Sequence, residues 1–332
     1  MAETLASPQI EDRCDRTVEQ SSERTDAEPA RLPITVIVLA FNEEIHLERC
    51  LANVADWAAR LVVIDSFSAD RTLEIAQRFG AQIYQRRFKN QADQFQWALD
   101  HCEIVTEWIF RLDADEYLEE ALKAEIREQL PTLPPDVTGV IIKRKVFFRD
   151  HWIRYGGYYP TSFLRLWRNG AARVEQRWMD EHAVLMQGRS VMMRHDFVDR
   201  NLRDITWWVD KHNRYATRQM VDFINREYPL FKSDEPARPT GGDAATRRRR
   251  ALRNRVFGNA PLYLRSVLYF LYRYIVRLGF LDGKQGFVFH SMHGLWYFVL
   301  MDAKIDEARE YIRQHGLDAF RRHLVQHHQV EI

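Results

Sequence analysis

Two aspartates one residue apart, Asp113 and Asp115, stand where an apolar run of the chain stops. Trp108 to Leu112 is too short for a helix and reads as a buried strand, closed by Asp113-Ala114-Asp115-Glu116. Side chains at i and i+2 on extended backbone point the same way, so both carboxylates face one side. Such a pair repels unless a cation or a hydrogen-bond donor lies between the two. Mg2+ or Mn2+ bridging to substrate phosphates is the usual resident. At the carboxyl end of a parallel strand, this is also where an open α/β sheet binds its ligands. The same residues would serve a solvated acidic loop that caps the next helix, so the surrounding elements have to decide.

Those elements alternate. Ile34 to Ala40 is an apolar, β-branched run, a buried strand. Asn42 is placed to cap a helix with Glu43 and Glu44 in its first turn, and Leu47, Leu51, Val54 and Ala58 give that helix a buried face. Leu61 to Asp65 is a second strand ending in an acid. Ser68 is placed to cap a second helix, which stops at Gly80. Ala81 to Gln85 predicts a third strand, and Phe95, Ala98, Leu99 and Cys102 one face of a third helix. The β-α-β-α-β-α-β order implies a mostly parallel sheet with helices on both faces.

Composition narrows the class. With 332 residues, 46% of them hydrophobic, the chain can bury a real core. A net charge of +1 gives no global field for nucleic acid. Cys14, Cys50 and Cys102 are odd in number and far apart, which excludes a disulfide framework or a zinc spacing and fits a reducing cytoplasm. Residues 1–32 are polar and acidic with no apolar segment, and are expected to be a disordered leader rather than a signal peptide.

Three blocks now stand in order: Val38-Leu-Ala-Phe-Asn-Glu-Glu44, Val63-Ile-Asp-Ser-Phe-Ser-Ala-Asp-Arg-Thr72 and Leu112-Asp-Ala-Asp-Glu116. Together they resemble glycosyltransferase family 2, inverting enzymes of the GT-A (Rossmann-like) fold. Ser66-Phe67 stands where that family often has Asp-Gly. Further along, Phe147 to Pro160, Leu164-Arg-Leu166, Asp180-Glu-His182 and Gly279 to Gly283 are similar to a bacterial branch that includes lipopolysaccharide core β-1,4-glucosyltransferases. The resemblance covers most of residues 33–305. It implies a nucleotide-sugar donor, most simply UDP-linked, and a hexose passed with inversion to a lipid-linked envelope glycan.

The chemistry of the residues agrees. Asp115 is expected to hold Mg2+ or Mn2+, with Asp113 beside it as a second metal contact or on the ribose. Asp65 is expected to accept from the nucleobase N–H, and Leu39, Ala40 and Glu43 to line base and ribose; Asp65 and Glu43 could equally be a capping acid and a first-turn acid. Inversion needs a base for the acceptor hydroxyl. Neighbours on an extended segment face opposite sides, so one of Asp180 and Glu181 is expected to face the sugar. The family pattern places the base at Glu181, with Asp180 second and Glu175 next. Either acid could instead pair with Arg173 or Arg177. Asn169-Gly170 predicts a hairpin turn between Leu164–Arg168 and Ala171–Glu175.

Arg165 should turn away from its core neighbours toward a pyrophosphate or an acceptor phosphate, and Arg154 should sit on a mobile acceptor loop; both could be ordinary ion pairs. His195 could be a further metal ligand or a structural histidine, and His182 could orient Glu181.

The chain is expected to divide into a catalytic domain at 33–228 (nucleotide half 33–118, acceptor half 119–228), a basic linker at 229–260 and a helical segment at 261–332. Residues 205–227 read as helix. Arg247–Arg250, Arg253 and Arg255 precede a stretch dense in Tyr, Phe and Leu that Arg265, Arg273 and Arg277 interrupt, too broken to span a bilayer. This fits peripheral attachment to an anionic surface, the cytoplasmic face of the inner membrane, although the same aromatics could simply pack on the catalytic domain. Nucleic acid is a poor partner at this net charge.

Two rival functions differ in testable features. A degenerate GT-A domain acting as a nucleotide-sugar scaffold or sensor would need no base. A sugar nucleotidyltransferase would carry a Gly- and Lys/Arg-rich loop where Phe41-Asn-Glu-Glu44 stands.

Overall fold

A computed structural model describes residues 30–175, 182–231 and 260–328. Its centre is β1 (Leu32–Ala40), flanked in parallel by β2 (Ala58–Asp65) and β4 (Trp108–Asp113), with β3 (Gln82–Gln85) parallel at the edge. Both faces of β1 are apolar, as a strand covered on both sides requires. Val36 and Val38 pack with Leu47, Leu51 and Val54 of helix α1 (Leu47–Val54). Ile37 faces the other way, into a cluster with Phe95 and Ala98 of α3 (Gln91–His101). Helix α2 (Thr72–Arg78) completes the alternation and ends before Gly80, which has a positive φ.

Beyond β4 the sheet stops being parallel. β8 (Thr161–Arg168) runs antiparallel to β4, and β6 (Val137–Phe148) antiparallel to β8. β11 (Arg189–Arg200) follows, parallel to β6, and β5 (Glu116–Leu118) closes that edge antiparallel to β11. The short β7 (His151–Trp152) folds back on β6, giving this sheet nine strands among the described residues. Helix α4 (Glu120–Gln129) leads out of β5.

Three local expectations change. Asn42 and Ser68 do not cap helices: α1 begins at Leu47 and α2 at Thr72. Asn42 instead takes a left-handed conformation and accepts from Ala69 N through Oδ1, while its own N–H donates to Ser68 Oγ. The Asn169-Gly170 turn forms, with Gly170 at positive φ, but it joins no hairpin. Both edges of β8 are taken by β4 and β6, so β9 (Ala172–Val174) pairs with β10 (Ala183–Leu185) in a separate ribbon.

The helical expectation after Asn201 holds as α5 (Ile205–Ile224), capped by Asp204, whose carboxylate accepts from Trp207 N. Its Met220, Val221 and Ile224 pack with Met301, Ile305 and Ala308 of the helix Tyr297–His315. The expected loop around Arg154 is pinned rather than free. Asp282 accepts from Arg154 N and Tyr155 N, Arg273 Nε donates to Gly156 O at 2.7 Å, and Gly156 N donates to Arg277 O. Gly156 is needed there: its φ is +68°, and a Cβ would overlap the His290 ring. Arg247–Arg250, Arg253 and Arg255 lie outside the described residues, so their expected role stands on sequence alone. Among the described residues no helix is long and apolar enough to cross a membrane.

The joint between this loop and the C-terminal helices contains His212, His290 and His293. Burial holds His212 and His290 down to about 4, and His293 well below the ordinary imidazole value. The folded state therefore binds fewer protons than the unfolded chain between pH about 6.5 and 4. This contribution to stability is complete above the unfolded value and is lost as pH falls toward the folded one. Thermal melts from neutral to mildly acidic pH should show a fall in Tm across that window, with a shallower fall for His290→Gln, which cannot gain charge. Equal slopes would mean that His290 is not among the groups responsible.

Candidate active site

The register of the central strands brings the sequence candidates to one edge. Leu39 pairs with Asp113 and Ala40 with Asp65, so the ends of β1, β2 and β4 are level. The second sequence block then builds the loop after β1. Ser68 Oγ, Asp70 Oδ2 and Thr72 Oγ1 accept the backbone N–H groups of Asn42, Glu44 and Glu43 respectively. Polar residues at every second position of one loop satisfy consecutive donors of another, which keeps an open strand end ordered without a helix.

Asp65 lies beneath this loop, fully buried. It accepts from Ser68 N, Ser68 Oγ and, at 3.0 Å, Gln85 Nε2. Its visible work is to hold Ser68. Glu43 bonds His46 Nδ1 at 2.6 Å, and His46 Nε2 accepts from Leu202 N. That pair of bonds specifies the neutral tautomer with the proton on Nδ1. It also ties the β1 loop to the segment after β11, as does the bond from Arg203 to Asn42 O.

Asp115 is enclosed by that segment. Asn201 Nδ2 donates to its Oδ2 at 2.9 Å, Arg200 N donates to its carbonyl, and Arg49 bridges the carbonyls of Asp115 and Arg200. Lys211 of α5 brings its ammonium 4.0 Å from Asp115 Oδ2. Burial works against the charged form of Asp115, yet Lys211 and the Asn201 bond together hold its carboxyl below the ordinary range. Asp199, paired in register with Glu116, is pushed up to about 6 by burial and by the charge of Asp115. Burial pushes the Glu116 carboxyl well above its ordinary value, with Arg165 opposing.

Arg165 is only 5% exposed, and its Nη2 donates to Glu116 Oε1 at 2.7 Å. Its Nη1 stands 3.6 Å from Asp113 Oδ2, and its guanidinium lies against the Phe197 ring. It is a buried counter-ion beneath the acids. The Asp113 carboxylate keeps more freedom: Arg111 and Arg165 flank it at 3.7 and 3.6 Å, and no donor among the described residues reaches its Oδ atoms within hydrogen-bond distance.

Other candidates fall elsewhere. Glu181 and Asp180 lie outside the described residues. Glu175, buried, follows β9, and its N–H donates to His182 O. His182 sits edge-on to Phe163. His195 bonds Glu125 of α4 through Nδ1, and Glu125 also accepts its backbone N–H. The structural reading of His195 therefore fits. Arg154 lies against the Trp152 ring.

Among the described residues no three His, Cys, Asp or Glu side chains group to hold a metal ion. Asp113 and Asp115 still offer hard carboxylate oxygens of the kind Mg2+ and Mn2+ take, and such ions commonly use one or two carboxylates with substrate phosphates as the rest. The donor set fits an ion that arrives with a diphosphate. Lys211, Asn201, Arg203, Arg49 and His46 were not found by sequence reasoning. The only signal for Asn201 and Arg203 was the polar run Asp199-Arg-Asn-Leu-Arg203, which reads as a plain strand end, and His46, Arg49 and Lys211 carried none.

Removal of one member of a buried ion pair is costly. Arg165→Met leaves Glu116 buried and uncompensated, and should destabilise the protein by about 3–5 kcal/mol in urea unfolding. Adding Glu116→Gln should recover most of that loss. A single variant as stable as the parent would show that the pair does not hold this edge of the sheet.

Among known proteins, the lipopolysaccharide core biosynthesis glycosyltransferase LpsC of Rhizobium meliloti is 31% identical over 168 residues, covering 48% of this chain and 59% of LpsC. An uncharacterized glycosyltransferase of Rickettsia bellii is 32% identical over 93 residues, 28% of this chain and 31% of that protein. The chain thus spans under two thirds of the length of either relative. Of solved structures, the Pyrobaculum calidifontis mannosyltransferase PcManGT, in complex with GDP-Man and Mn2+, aligns over 84% of this chain and 88% of its own, at 15% identity and TM-score 0.42. TarS of S. aureus with UDP-GlcNAc aligns over 85% and 91%, at 15% identity and TM-score 0.40. Both structural likenesses are distant. The sequence profile of Glycosyl transferase family 2 matches residues 35–202, just over half of the chain and the span that holds all three strand-end blocks, and the chain belongs to that family.

Proposed function

We propose that this protein transfers a hexose, with inversion, from a UDP-linked sugar to a lipid-linked envelope glycan such as lipopolysaccharide core. The observation that carries the reading is that Asp113 and Asp65 stand level with the end of β1 at the carboxyl edge of a parallel sheet, with Asp115 in the turn that follows Asp113. The LpsC likeness supports the acceptor class over the aligned residues. On this reading residues 33–118 hold the nucleotide, 119–228 the acceptor, and 261–332 the membrane side.

Leu39, Ala40 and Glu43 line the base and ribose, and Asp65 serves the base through the loop it orders. Asp115 and Asp113 are the carboxylates for Mg2+ or Mn2+, which when bound would neutralise charge developing on the departing diphosphate. Lys211 adds a permanent positive charge beside Asp115. Arg165 acts from below, as the counter-ion of Glu116 and Asp113. Glu181 takes the proton of the acceptor hydroxyl as that oxygen attacks the anomeric carbon, while the bond to the diphosphate breaks on the opposite face. Asp180 is the second candidate and Glu175 the third.

Asp115→Asn should fold normally, lose most turnover and lose the Mn2+-dependent thermal stabilisation by UDP. Retention of both properties would remove Asp115 from the metal site. Turnover that is absent even in the parent protein, with UDP stabilisation intact, would favour a nucleotide-sugar scaffold.

Loss of a general base typically costs on the order of 10²–10⁴ in rate while binding survives. Glu181→Gln should therefore keep UDP stabilisation and transfer slowly, with Asp180→Asn milder. The reverse order in single-turnover assays would move the base to Asp180.

A further inference from the structure

The segment 263–287 is built inside out. Its buried positions are Arg265, Ser266, Arg273, Gly279, Asp282 and Gly286, none of them a large apolar residue. Leu264, Val267, Leu268, Leu271, Ile275 and Val276, by contrast, are 40–67% exposed. The first five recur at i, i+3, i+4, i+7 and i+11, a single stripe along the helix Leu264–Leu271 and the wide turn Tyr272–Val276. The apolar face continues over the following turn to Phe280, Leu281 and Phe287.

The inward charges are fully engaged. Arg265 Nε donates to Asp302 at 2.7 Å, with both side chains buried. Arg273 lies 3.8 Å from the Tyr158 ring centroid and donates to Gly156 O. In water this arrangement loses on both sides: guanidinium groups are desolvated inside while leucines are hydrated outside. An apolar surrounding on the outer side reverses the second term. A continuous exposed face of this kind marks a surface that something covers.

We infer that what covers it is one leaflet of an anionic lipid bilayer, with the helix lying in the interface plane. Charge separates this occupant from a second protein surface. From Ala244 to Leu281 the chain has no Asp or Glu, while Arg247–Arg250, Arg253 and Arg255 come directly before the face and exposed Arg277 and Lys284 sit within its far end. Anionic headgroups complement that pattern. Tyr263 and Tyr272, both exposed, are amphipathic residues suited to the headgroup level. No described helix can cross, so the contact is with one side only.

The consequence reaches the site. The same residues that turn inward, Arg273 and Asp282, hold the loop Arg154–Tyr158 from beneath. Hydrogen bonds thus join the loop to the turns that carry the lipid-facing stripe. This deepens the acceptor assignment and rests on it for its purpose: the joined loop and turns set the height at which a lipid-anchored glycan meets the acceptor half.

Flotation of the full chain with phosphatidylcholine vesicles, with and without phosphatidylglycerol, at low and high salt, tests the inference. The parent protein should bind the anionic vesicles, and part of that binding should survive high salt. Leu268→Glu with Ile275→Glu, at exposed positions that leave the packed side untouched, should lower the salt-resistant fraction about tenfold or more. Replacing Arg247–Arg250 by glutamine should remove mainly the salt-sensitive fraction. UDP stabilisation measured beside it separates the two readings: vesicle binding without UDP stabilisation would sink the donor assignment and leave the lipid face standing. The inference is overturned if the double variant floats like the parent, if the parent floats with neither vesicle type, or if the parent is a vesicle-indifferent dimer that the double variant splits. That last result would assign the face to a second copy of the chain.

Discussion

Carboxylates gathered in a low-dielectric pocket repel one another and lose their hydration, so each must be compensated from the protein side. Asp113, Asp115, Glu116 and Asp199 meet at the carboxyl edge of the sheet, and much of the second half of the chain is arranged around them. β8 contributes Arg165 to Glu116 and Asp113, β6 contributes Arg144 to Asp199, and α5 contributes Lys211 to Asp115. The switch from parallel to antiparallel pairing at β4 brings the first of these cations beneath the acids. The cations thus offset part of the negative charge gathered there, with the Asp115 carboxyl held below its ordinary range while burial pushes those of Glu116 and Asp199 up.

A second constraint operates at the loops. An open α/β edge leaves backbone donors at every strand end, and helices that start late cannot satisfy them. Here Ser68, Asp70 and Thr72 take the N–H groups of residues 42–44, and Asp65 braces Ser68 from below. The two family blocks are therefore one structural unit. Their acids and hydroxyls order the loop after β1 whether or not each also touches a ligand.

The C-terminal region joins the site to its surroundings through polar groups and the solvent through apolar ones. Asp282, Arg273 and the backbone of Arg277 grip the loop around Gly156, while the leucines of the same turns face outward. Packing in this region is thus inverted relative to the core around β1, where every buried side chain of the strand interior except Thr35 is apolar.

The sequence by itself determined the parallel half of the sheet, because Ile34–Ala40, Leu61–Asp65 and Trp108–Leu112 are short apolar runs that can only be buried strands between helical stretches. It also determined that Asp65 and Asp113 sit at strand ends, since each acid closes such a run, with Asp115 in the turn just beyond. Tertiary structure alone decided the partners. Nothing in the spacing of Arg165 says that Glu116 will take it, because an ion pair 49 residues apart depends on β8 crossing to β4. The reassignment of Asn42 and Ser68 from helix caps to a loop-to-loop bond has the same cause: a side chain chooses among donors that are distant in sequence, and only folding brings them near. Lys211 and Asn201 were invisible for this reason, being ordinary polar residues until β11 and α5 lay against Asp115. The outward leucines of 263–287 are likewise apolar in any reading, but which side of a helix meets the core is set by what the rest of the chain offers it. Here the rest of the chain offers Asp302 and the Gly156 carbonyl, so the arginines turn in and the leucines turn out.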